Sequence, residues 1–394
     1  MKKKMLIIGI IMNSAGTERS FLSFAQRLDY EKYDVELLLA SKEGAFLHLV
    51  PEEIKVSEMG ELSEIFKINK NNSFSVISKL FLRKNPFFAF KLLPDTIKMR
   101  KGGVERAYAA NRIWLKLMDK MPVHTGEYDV ALAYWGDHTM FYMVDKVNAK
   151  KKISWLHFDY DEPPREDAVY LPYLKKCDKI ITVSKEIEHS LAAKFPELGG
   201  KIETIENFVN EKEIIEKSQE ECDFRDDFDG IAILSVGRLC EQKGFDLAIP
   251  AVAKLFREGE NVRYYIIGEG SEEYKQKLLD IVRESGAENC VHFLPRTDNP
   301  YKFMARCDVY LQPSRHEGKP IAVEEAKILC LPMCVTNYKS ASEQLGAGNL
   351  GVICEISEEG IYNGVKTILH DEDKREGFKA ALGKVEKEEI TIEF

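Results

Sequence analysis

The chain has 394 residues, of which 44% are apolar and 31% charged, and its formal net charge is −9. This length predicts two or more domains, and the apolar content is ample for buried cores. No run approaches the roughly 20 apolar residues of a membrane span, and the acidic sequence pI of about 5.6, with no nucleic-acid-binding motif, argues against a nucleic-acid partner.

The N-terminus imitates a signal peptide, but its pattern is that of a buried strand. Three lysines precede the apolar stretch Met5 to Met12, which contains no A-x-A-like cleavage site and continues into a strand-turn-helix pattern. All eight cysteines follow residue 176 without a regular framework, which favours reduced, buried thiols. Both features predict a cytoplasmic protein.

Apolar strands alternate with amphipathic helices along the chain, which predicts two α/β units with mostly parallel, doubly wound sheets. The boundary is expected near residue 206, and residues 211–229 are charged and poorly periodic. Strands are predicted near Met5–Ile11, Tyr33–Leu39, Val130–Tyr134, Lys152–Leu156, Lys179–Val183, Ile231–Val236, Arg263–Ile267, Val291–Leu294, Val309–Gln312 and Met333–Val335. Such folds bind ligands outside the carboxyl ends of their strands, so functional side chains are expected in the loops that follow them.

Three loops of the first unit follow predicted strands. Asn13 to Arg19 leads into a helix, and Gly16 would let a phosphate or an acceptor approach the backbone closely. Trp135 to His138 and Trp155 to Asp159 end two further strands, the latter carrying His157. An ordinary strand-helix turn around Gly16 and a structural role for His157 are equally open at this point.

The segment from Lys79 to Lys120 is strongly basic and rich in aromatic residues. It holds eleven Lys and Arg residues against three acidic ones, interleaved with Phe81, Phe87, Phe88, Phe90 and Trp114. Basic amphipathic segments with aromatic residues suit a surface of anionic lipid. The alternative, a helical insertion with a solvated basic face and buried phenylalanines, fits the same pattern.

Three strand-ending segments of the second unit precede its most informative motif. Ile231 to Leu239 is a buried strand that runs into a turn and is followed by Glu241 to Asp246. Arg263 to Gly270 is a strand and a glycine turn, where Gly268 and Gly270 are expected to supply positive φ angles. Cys290 to Pro295 is the end of another strand.

Residues Pro313 to Ala326 carry two glutamates eight positions apart around a Gly-x-Pro turn. A helix is predicted over Ala322–Leu329 with Pro320 near its first turn, which leaves the amides of Gly318 to Ile321 free as an anion site. A phosphate suits this site, and Glu317 and Glu325 beside it would bond sugar hydroxyls. Solvated surface charge is the alternative for the two glutamates, and it is the expected state of Glu324.

This pattern closely resembles the Glu-x7-Glu signature of retaining glycosyltransferases of family 4, which have the GT-B fold and assemble bacterial polysaccharides, lipopolysaccharides and glycolipids. Four segments match in family order between Ile231 and Ala326. The resemblance implies two Rossmann-like domains facing across a cleft. Residues 1–206 would bind the acceptor and contain the insertion at about 60–125, and residues 207–394 would bind the nucleotide-sugar donor.

The resemblance also implies a role for each matched residue. Arg238 and Lys243 would contact the donor diphosphate, Glu317 the transferred sugar and Glu325 the ribose, while His157 would line the cleft near that sugar. Further donor contacts would come from Gly16, although Ala15 replaces one of two adjacent family glycines. The others are expected from Gly237, His292, Phe293, Leu294, Gly318, Lys319, Pro320 and Ile321.

The function implied is transfer of a hexose-type sugar from a nucleotide-sugar, UDP-linked by family frequency, to a saccharide or lipid-linked acceptor with retention of configuration. No cofactor or metal is expected, because lysine, arginine and a helix dipole take the place of a cation. A nucleotide-sugar 2-epimerase of the same fold and a non-catalytic nucleotide-sugar-binding scaffold remain open alternatives. The enzyme would be cytoplasmic and, through residues 79–120, peripheral on the inner leaflet.

Overall fold

A computed structural model of the chain describes residues 2–13, 15–60, 66, 72–79, 85–100, 104–162, 164–222, 224, 228–385 and 394. The chain divides into two units, one of Met1–Glu206 with Thr391–Phe394 and one of Asn207–Ile390. Parts of the predicted basic segment and insertion, including residues 61–65, 80–84 and 101–103, lie outside the described residues.

The first unit contains a parallel seven-stranded sheet in the order β3-β2-β1-β4-β5-β6-β7. Its interior strand β1 is covered on both faces, since Met5 to Ile8 have no exposed surface. The strands are β1 Lys3–Gly9, β2 Tyr33–Leu39, β3 Lys55–Glu58, β4 Glu127–Ala133, β5 Asn148–Leu156, β6 Lys179–Thr182 and β7 Ile202–Thr204. The strand order reverses between β1 and β4, so the loops after these strands border the switch point where α/β sheets bind ligands.

Helices of the first unit connect these parallel strands and pack on the sheet. They are α1 Gly16–Ala25, α2 Ser73–Ile77, α3 Pro86–Lys98, α4 Val104–Met118, α5 Asp137–Lys146, α6 Asp167–Lys176 and α7 Lys185–Lys194. Helices α3 and α4 lie between β3 and β4 and pack against each other. They form the described part of the basic, aromatic segment.

The second unit contains a parallel six-stranded sheet in the order β10-β9-β8-β11-β12-β13. Its order reverses between β8 and β11, which places the loops after these two strands at the second switch point. The strands are β8 Ile231–Val236, β9 Val262–Ile267, β10 Val291–Leu294, β11 Val309–Gln312, β12 Met333–Thr336 and β13 Val352–Cys354. The helices are α8 Glu211–Ser218, α9 Phe245–Arg257, α10 Glu272–Ser285, α11 Tyr301–Met304, α12 Ile321–Ile328, α13 Ala341–Gln344, α14 Glu358–His370 and α15 Glu372–Leu382.

The α/β prediction with two parallel sheets is confirmed, with three local differences. Residues 211–229 gave no periodic signal, yet Glu211–Ser218 is helical because the Asn210 side chain caps it by accepting from the Glu213 amide. Strands β3, β7 and β13 were not predicted, because three or four residues are too short for a clear period. Phe394 groups with the first unit rather than the second, since its carbonyl accepts from the Tyr33 hydroxyl at 3.1 Å.

Candidate functional site

Two loops at the second switch point are bonded to each other. We call residues 237–244, after β8, the lysine loop and residues 313–320, after β11, the glutamate loop. The Arg315 amide donates to the Gln242 carbonyl at 2.8 Å, and the Gln242 side chain donates to the His316 carbonyl at 3.0 Å. Because each loop holds the other, the charged side chains that they carry have fixed relative positions.

Lys243 and Glu317, which the sequence assigned to different parts of one ligand, form an ion pair. The Lys243 Nζ lies 2.6 Å from the Glu317 Oε1, and Glu317 is only 8% exposed. The pair places the Lys243 ammonium directly against the loop that leads into α12. A partly buried ion pair of this kind is weakly screened by salt, so it is a strong local electrostatic feature.

Glu317 is held by neutral donors as well as by Lys243. The Ser314 hydroxyl donates to its Oε1 at 2.6 Å, and the Gln312 amide donates to the same oxygen at 3.2 Å. Gln312 is fixed in turn by the Tyr310 hydroxyl, which donates to its Oε1 at 2.7 Å. The sequence analysis missed these supports, although a glutamine that ends a buried strand is itself an unusual residue there.

Arg315 and Asp246 form a second tie between the two loops. Both guanidinium nitrogens of Arg315 lie 2.8 Å from the Asp246 carboxylate, and one also donates to the Glu241 carbonyl. Burial raises the pKa of Asp246, but the hydrogen bond and charge of Arg315 outweigh it and lower the pKa below its usual value. Asp246 is therefore ionised at neutral pH, and its role here is to hold the loops together.

Gly244 is where the lysine loop touches the glutamate loop most closely. Its φ is +66°, and an added Cβ would lie 1.9 Å from the Pro313 carbonyl oxygen. Only glycine combines this backbone conformation with so close an approach. The close contact between the lysine loop and the glutamate loop therefore depends on this glycine.

We expect Gly244→Ala to displace the lysine loop and to destabilise the second unit, because the methyl group cannot occupy the position of the Pro313 carbonyl. Gly286→Ala is the matched control, since Gly286 has a φ of +64° but nothing within 4 Å of an added Cβ. Backbone strain of about 1 kcal/mol is common to both variants. Thermal unfolding followed by circular dichroism should therefore show a clearly larger loss for Gly244→Ala, and equal losses would contradict the packing described.

Helix α12 begins at Ile321 with Pro320 as its N-cap and no side-chain cap. The Gln344 side chain instead holds the turn by donating to the Pro320 carbonyl at 3.0 Å and to Glu324 at 2.8 Å. Glu324 was expected to be solvated, but this bond and its contact with Lys327 at 2.9 Å leave its side chain 15% exposed. The backbone N–H groups in the first turn of a helix point out of its N-terminal end. Those of α12 therefore face the end of the helix that the glutamate loop leads into.

Three further predicted residues near α12 are buried. Lys319 is 5% exposed, with its Nζ 3.6 Å from a Glu343 oxygen. Glu325 is 3% exposed and accepts from the Tyr301 hydroxyl at 2.9 Å. Gly318 is buried in the turn between the glutamates. Little of these three residues is therefore exposed to solvent.

Arg238 and Gly237 begin the lysine loop. Arg238 is exposed, and a Cβ on Gly237 would meet the Lys243 side chain at 3.4 Å, so the lysine stem runs along this glycine. Neither Gly268 nor Gly270 has a positive φ, contrary to the turn expected there. Both positions need glycine for another reason, because a Cβ would lie 1.8 Å from the Gly237 carbonyl oxygen at Gly268 and 2.1 Å from the Leu239 carbonyl oxygen at Gly270.

The predicted donor-contacting residues His292, Phe293 and Leu294 lie on β10, two strands from β8 and thus about 10 Å away. Their side chains alternate, so His292 stacks on Tyr265 at 5.3 Å between ring centroids while Phe293 packs into the core on the other face. Burial lowers the pKa of His292, with a further contribution from Arg263. The three side chains therefore do not form one surface.

In the first unit, Gly16 begins the helix that follows β1, and His157 lies in the loop that follows β5. Gly16 is the first residue of α1, whose N-cap Ala15 makes no side-chain cap. The His157 ring lies 4.5 Å from the Tyr134 ring and is nearly parallel to Trp155 at 5.6 Å. His157 is thus packed among aromatic side chains at the strand ends.

A buried ion pair that the sequence analysis missed joins the loops after β4 and β5. Arg165 contacts both Asp137 oxygens, at 3.0 and 3.1 Å, and donates to the carbonyls of Asp159 and Tyr160 at 3.0 Å each. Its guanidinium lies 3.8 Å from the centre of the Phe158 ring. Arg165 therefore anchors the loop that begins at His157.

Within the described ranges, no three or more His, Cys, Asp or Glu side chains gather as metal ligands. None of the helices in the described part of the chain is long and apolar enough to cross a membrane.

Comparison with known proteins places the second unit in a family. Residues 220–384 match the family model for glycosyl transferases group 1. Over 206 residues the chain is 32% identical to N-acetylgalactosamine-N,N'-diacetylbacillosaminyl-diphospho-undecaprenol 4-alpha-N-acetylgalactosaminyltransferase of Campylobacter jejuni; the match covers 52% of this chain and 54% of that protein. The chain thus spans about half the length of this relative.

Two longer matches agree with this family. The lipopolysaccharide core biosynthesis glycosyltransferase LpsE of Rhizobium meliloti is 26% identical over 294 residues, which cover 73% of this chain and 80% of that protein. The solved structure of Anabaena HepE in complex with UDP and glucose is 16% identical with a TM-score of 0.66, and the match covers 97% of this chain and 94% of that chain. The second unit therefore matches glycosyl transferases group 1, and the chain has the GT-B fold, as its motifs predict.

Proposed function

We propose that the protein transfers a hexose-type sugar from a nucleotide-sugar, with UDP as the nucleotide, to a saccharide or lipid-linked acceptor. The observation that carries this proposal is the Lys243–Glu317 pair, held 2.6 Å apart at the switch point of the second unit and beside the start of α12. Two similar proteins support this proposal, since HepE was solved with UDP and the Campylobacter protein acts on a diphospho-undecaprenol-linked saccharide.

Fixed positive charge would supply much of the catalysis. Breaking the bond between the anomeric carbon and the diphosphate leaves an anion, and preorganised cations and amides stabilise such a leaving group. Lys243 is the preorganised cation, the exposed Arg238 is free to reach a phosphate, and the α12 amides add the positive end of a helix dipole. This arrangement supports a metal-independent reaction.

Glu317 would orient the sugar while Lys243, beside it, contacts the phosphate. Ser314 and Gln312 continue to hold one Glu317 oxygen, so the carboxylate keeps its position and can accept from sugar hydroxyls. Glu325 would bond the ribose, with Tyr301 fixing its side chain. The first unit would bind the acceptor, with Gly16 and His157 in its strand-end loops, and the sugar would be transferred with retention of configuration at the cytoplasmic face of the membrane.

Screening UDP-, GDP- and ADP-sugars by thermal stabilisation tests the donor. A ligand that binds the folded state raises the melting temperature by mass action, and we expect UDP-sugars to give the largest shift. The shift should persist in the presence of EDTA and should be lost in Lys243→Ala. A larger shift with GDP- or ADP-sugars would overturn the assignment of the nucleotide.

A further inference from the structure

Helix α3 presents a stripe of large apolar side chains to solvent. Phe87 is 84% exposed, Phe90 65%, Ile97 55% and Leu93 36%. Positions three and four residues apart share one face of a helix, so these four side chains form a continuous stripe along Pro86–Lys98. We call them the α3 stripe.

The opposite face of α3 already provides its packing in the first unit. Ala89, Leu92, Thr96 and Met99 are all buried, and Leu92 has no exposed surface. A surface helix of a globular protein normally turns a polar face outward. The side chains of the α3 stripe therefore do not pack in the core of the first unit. Contiguous exposed apolar surface of this kind marks an interaction site.

The exposed charges on α3 and directly after it have one sign. Lys91 is exposed between Phe90 and Leu93, and Arg100 is exposed just after the helix. Asp95 is the one carboxylate within Pro86–Lys98, and it is buried and paired with Lys116 at 2.7 Å. The exposed surface of α3 thus combines apolar side chains with positive charge.

We infer that α3 docks on a membrane surface rich in anionic lipid. The phenylalanines and Ile97 enter the interface, while Lys91 and Arg100 contact lipid phosphates, which is the combination that interfacial helices use. The 13 residues of α3 extend about 20 Å, too short to span a bilayer, so the helix lies in the plane of the surface. This inference deepens the proposed function. The lipid-linked acceptor proposed above gives membrane docking its biological purpose, but the docking itself is inferred from α3.

Flotation of the full chain with lipid vesicles tests this inference. Vesicles enriched in phosphatidylglycerol are expected to bind the chain and pure phosphatidylcholine vesicles to bind it weakly, with salt reducing the difference. The double variant Phe87→Ser/Phe90→Ser should weaken binding about tenfold or more. Val123→Ser is the matched control, since Val123 is 65% exposed and lies outside α3.

Equal binding of the double variant and the wild type would overturn the assignment to α3. A chain that ignores vesicles but forms a dimer that the double variant disrupts, as judged by light scattering, would show that a second copy of the chain covers the stripe instead. Lys91→Glu should weaken binding to anionic vesicles specifically, and an unchanged preference would remove the electrostatic part of the inference. Donor-induced thermal stabilisation, measured without vesicles, tests the transfer function separately and should be the same in the double variant.

Discussion

Replacing Lys243 with alanine is expected to lower the turnover of sugar transfer by about 100-fold to 1000-fold, the usual cost of removing one preorganised group that stabilises developing negative charge. The structure gives the reason, because Lys243 is the cation fixed against Glu317 at 2.6 Å and beside the start of α12. The measurement is product formation from a UDP-sugar under saturating donor, so that loss of binding alone does not account for the change.

Lys275→Ala serves as the control for Lys243, because Lys275 is an exposed lysine of α10 in the same unit. The Lys243 variant should stay folded, since Ser314 and Gln312 still donate to Glu317 when the lysine is gone. Turnover of the Lys243 variant equal to that of the control would remove the central assignment of the site. Glu317→Gln should also lower turnover, since the amide keeps the shape but loses the charge.

Replacing Arg165 with methionine is expected to destabilise the first unit by about 3 kcal/mol. This is the lower end of the cost of breaking a buried ion pair. The lower end applies because the Asp137 side chain is 31% exposed, whereas that of Arg165 is 7% exposed. The three tryptophans of the chain, Trp114, Trp135 and Trp155, all lie in the first unit. Their fluorescence during urea unfolding therefore reports the stability of that unit.

A surface ion pair provides the control for Arg165. Lys150 lies 2.7 Å from Asp129, but its side chain is 81% exposed, so Lys150→Met should cost at most about 1 kcal/mol. Adding Asp137→Asn to Arg165→Met should recover part of the lost stability, because the unpaired charge is removed. No recovery would show that Arg165 acts through packing on Phe158 rather than through its charge.

The Arg165 pair also sets a pH dependence. Burial raises the pKa of Asp137, but the charge and hydrogen bonds of Arg165 outweigh it and lower the pKa below its usual value. A carboxyl group whose pKa is lower in the folded state than in the unfolded state stabilises the protein at pH values above its unfolded-state pKa. This contribution is lost as the pH falls through the folded-state pKa. In Arg165→Met the effect of burial on Asp137 dominates and raises the pKa of its carboxyl group. Lowering the pH should therefore reduce the difference in free energy of unfolding between the variant and the wild type.

Much of the candidate site could be predicted from the sequence because its residues follow strands. Lys243 and Glu317 each stand a few residues beyond a buried apolar run, and parallel strands bring such loops to one edge of a sheet. The motif spacing located both residues in advance, and the fold brings them into contact. Gly268 was recognised as a special position, but the reason was wrong, since it admits the Gly237 carbonyl rather than a positive φ.

The supporting residues could not be predicted, because their partners are distant in sequence. Arg315 bonds Asp246, 69 positions away, and Arg165 bonds Asp137, 28 positions away. No periodicity or short-range spacing in the sequence indicates that these residues pair. Glu324 was expected in solvent for the same reason, since Gln344 reaches it only after α13 has folded against α12.

The amino-acid sequence by itself determined the α/β class, the two parallel sheets and the strand-end loops that carry Lys243 and Glu317, because hydrophobic period and turn residues are local properties. Only the tertiary structure decided which charges pair, which glycines admit a neighbouring carbonyl and which apolar side chains stay exposed. Phe88 and Phe90 look alike in the sequence, yet only Phe90 belongs to the α3 stripe. Burial and pairing depend on what packs against a residue, and that is settled by contacts between segments far apart in the chain.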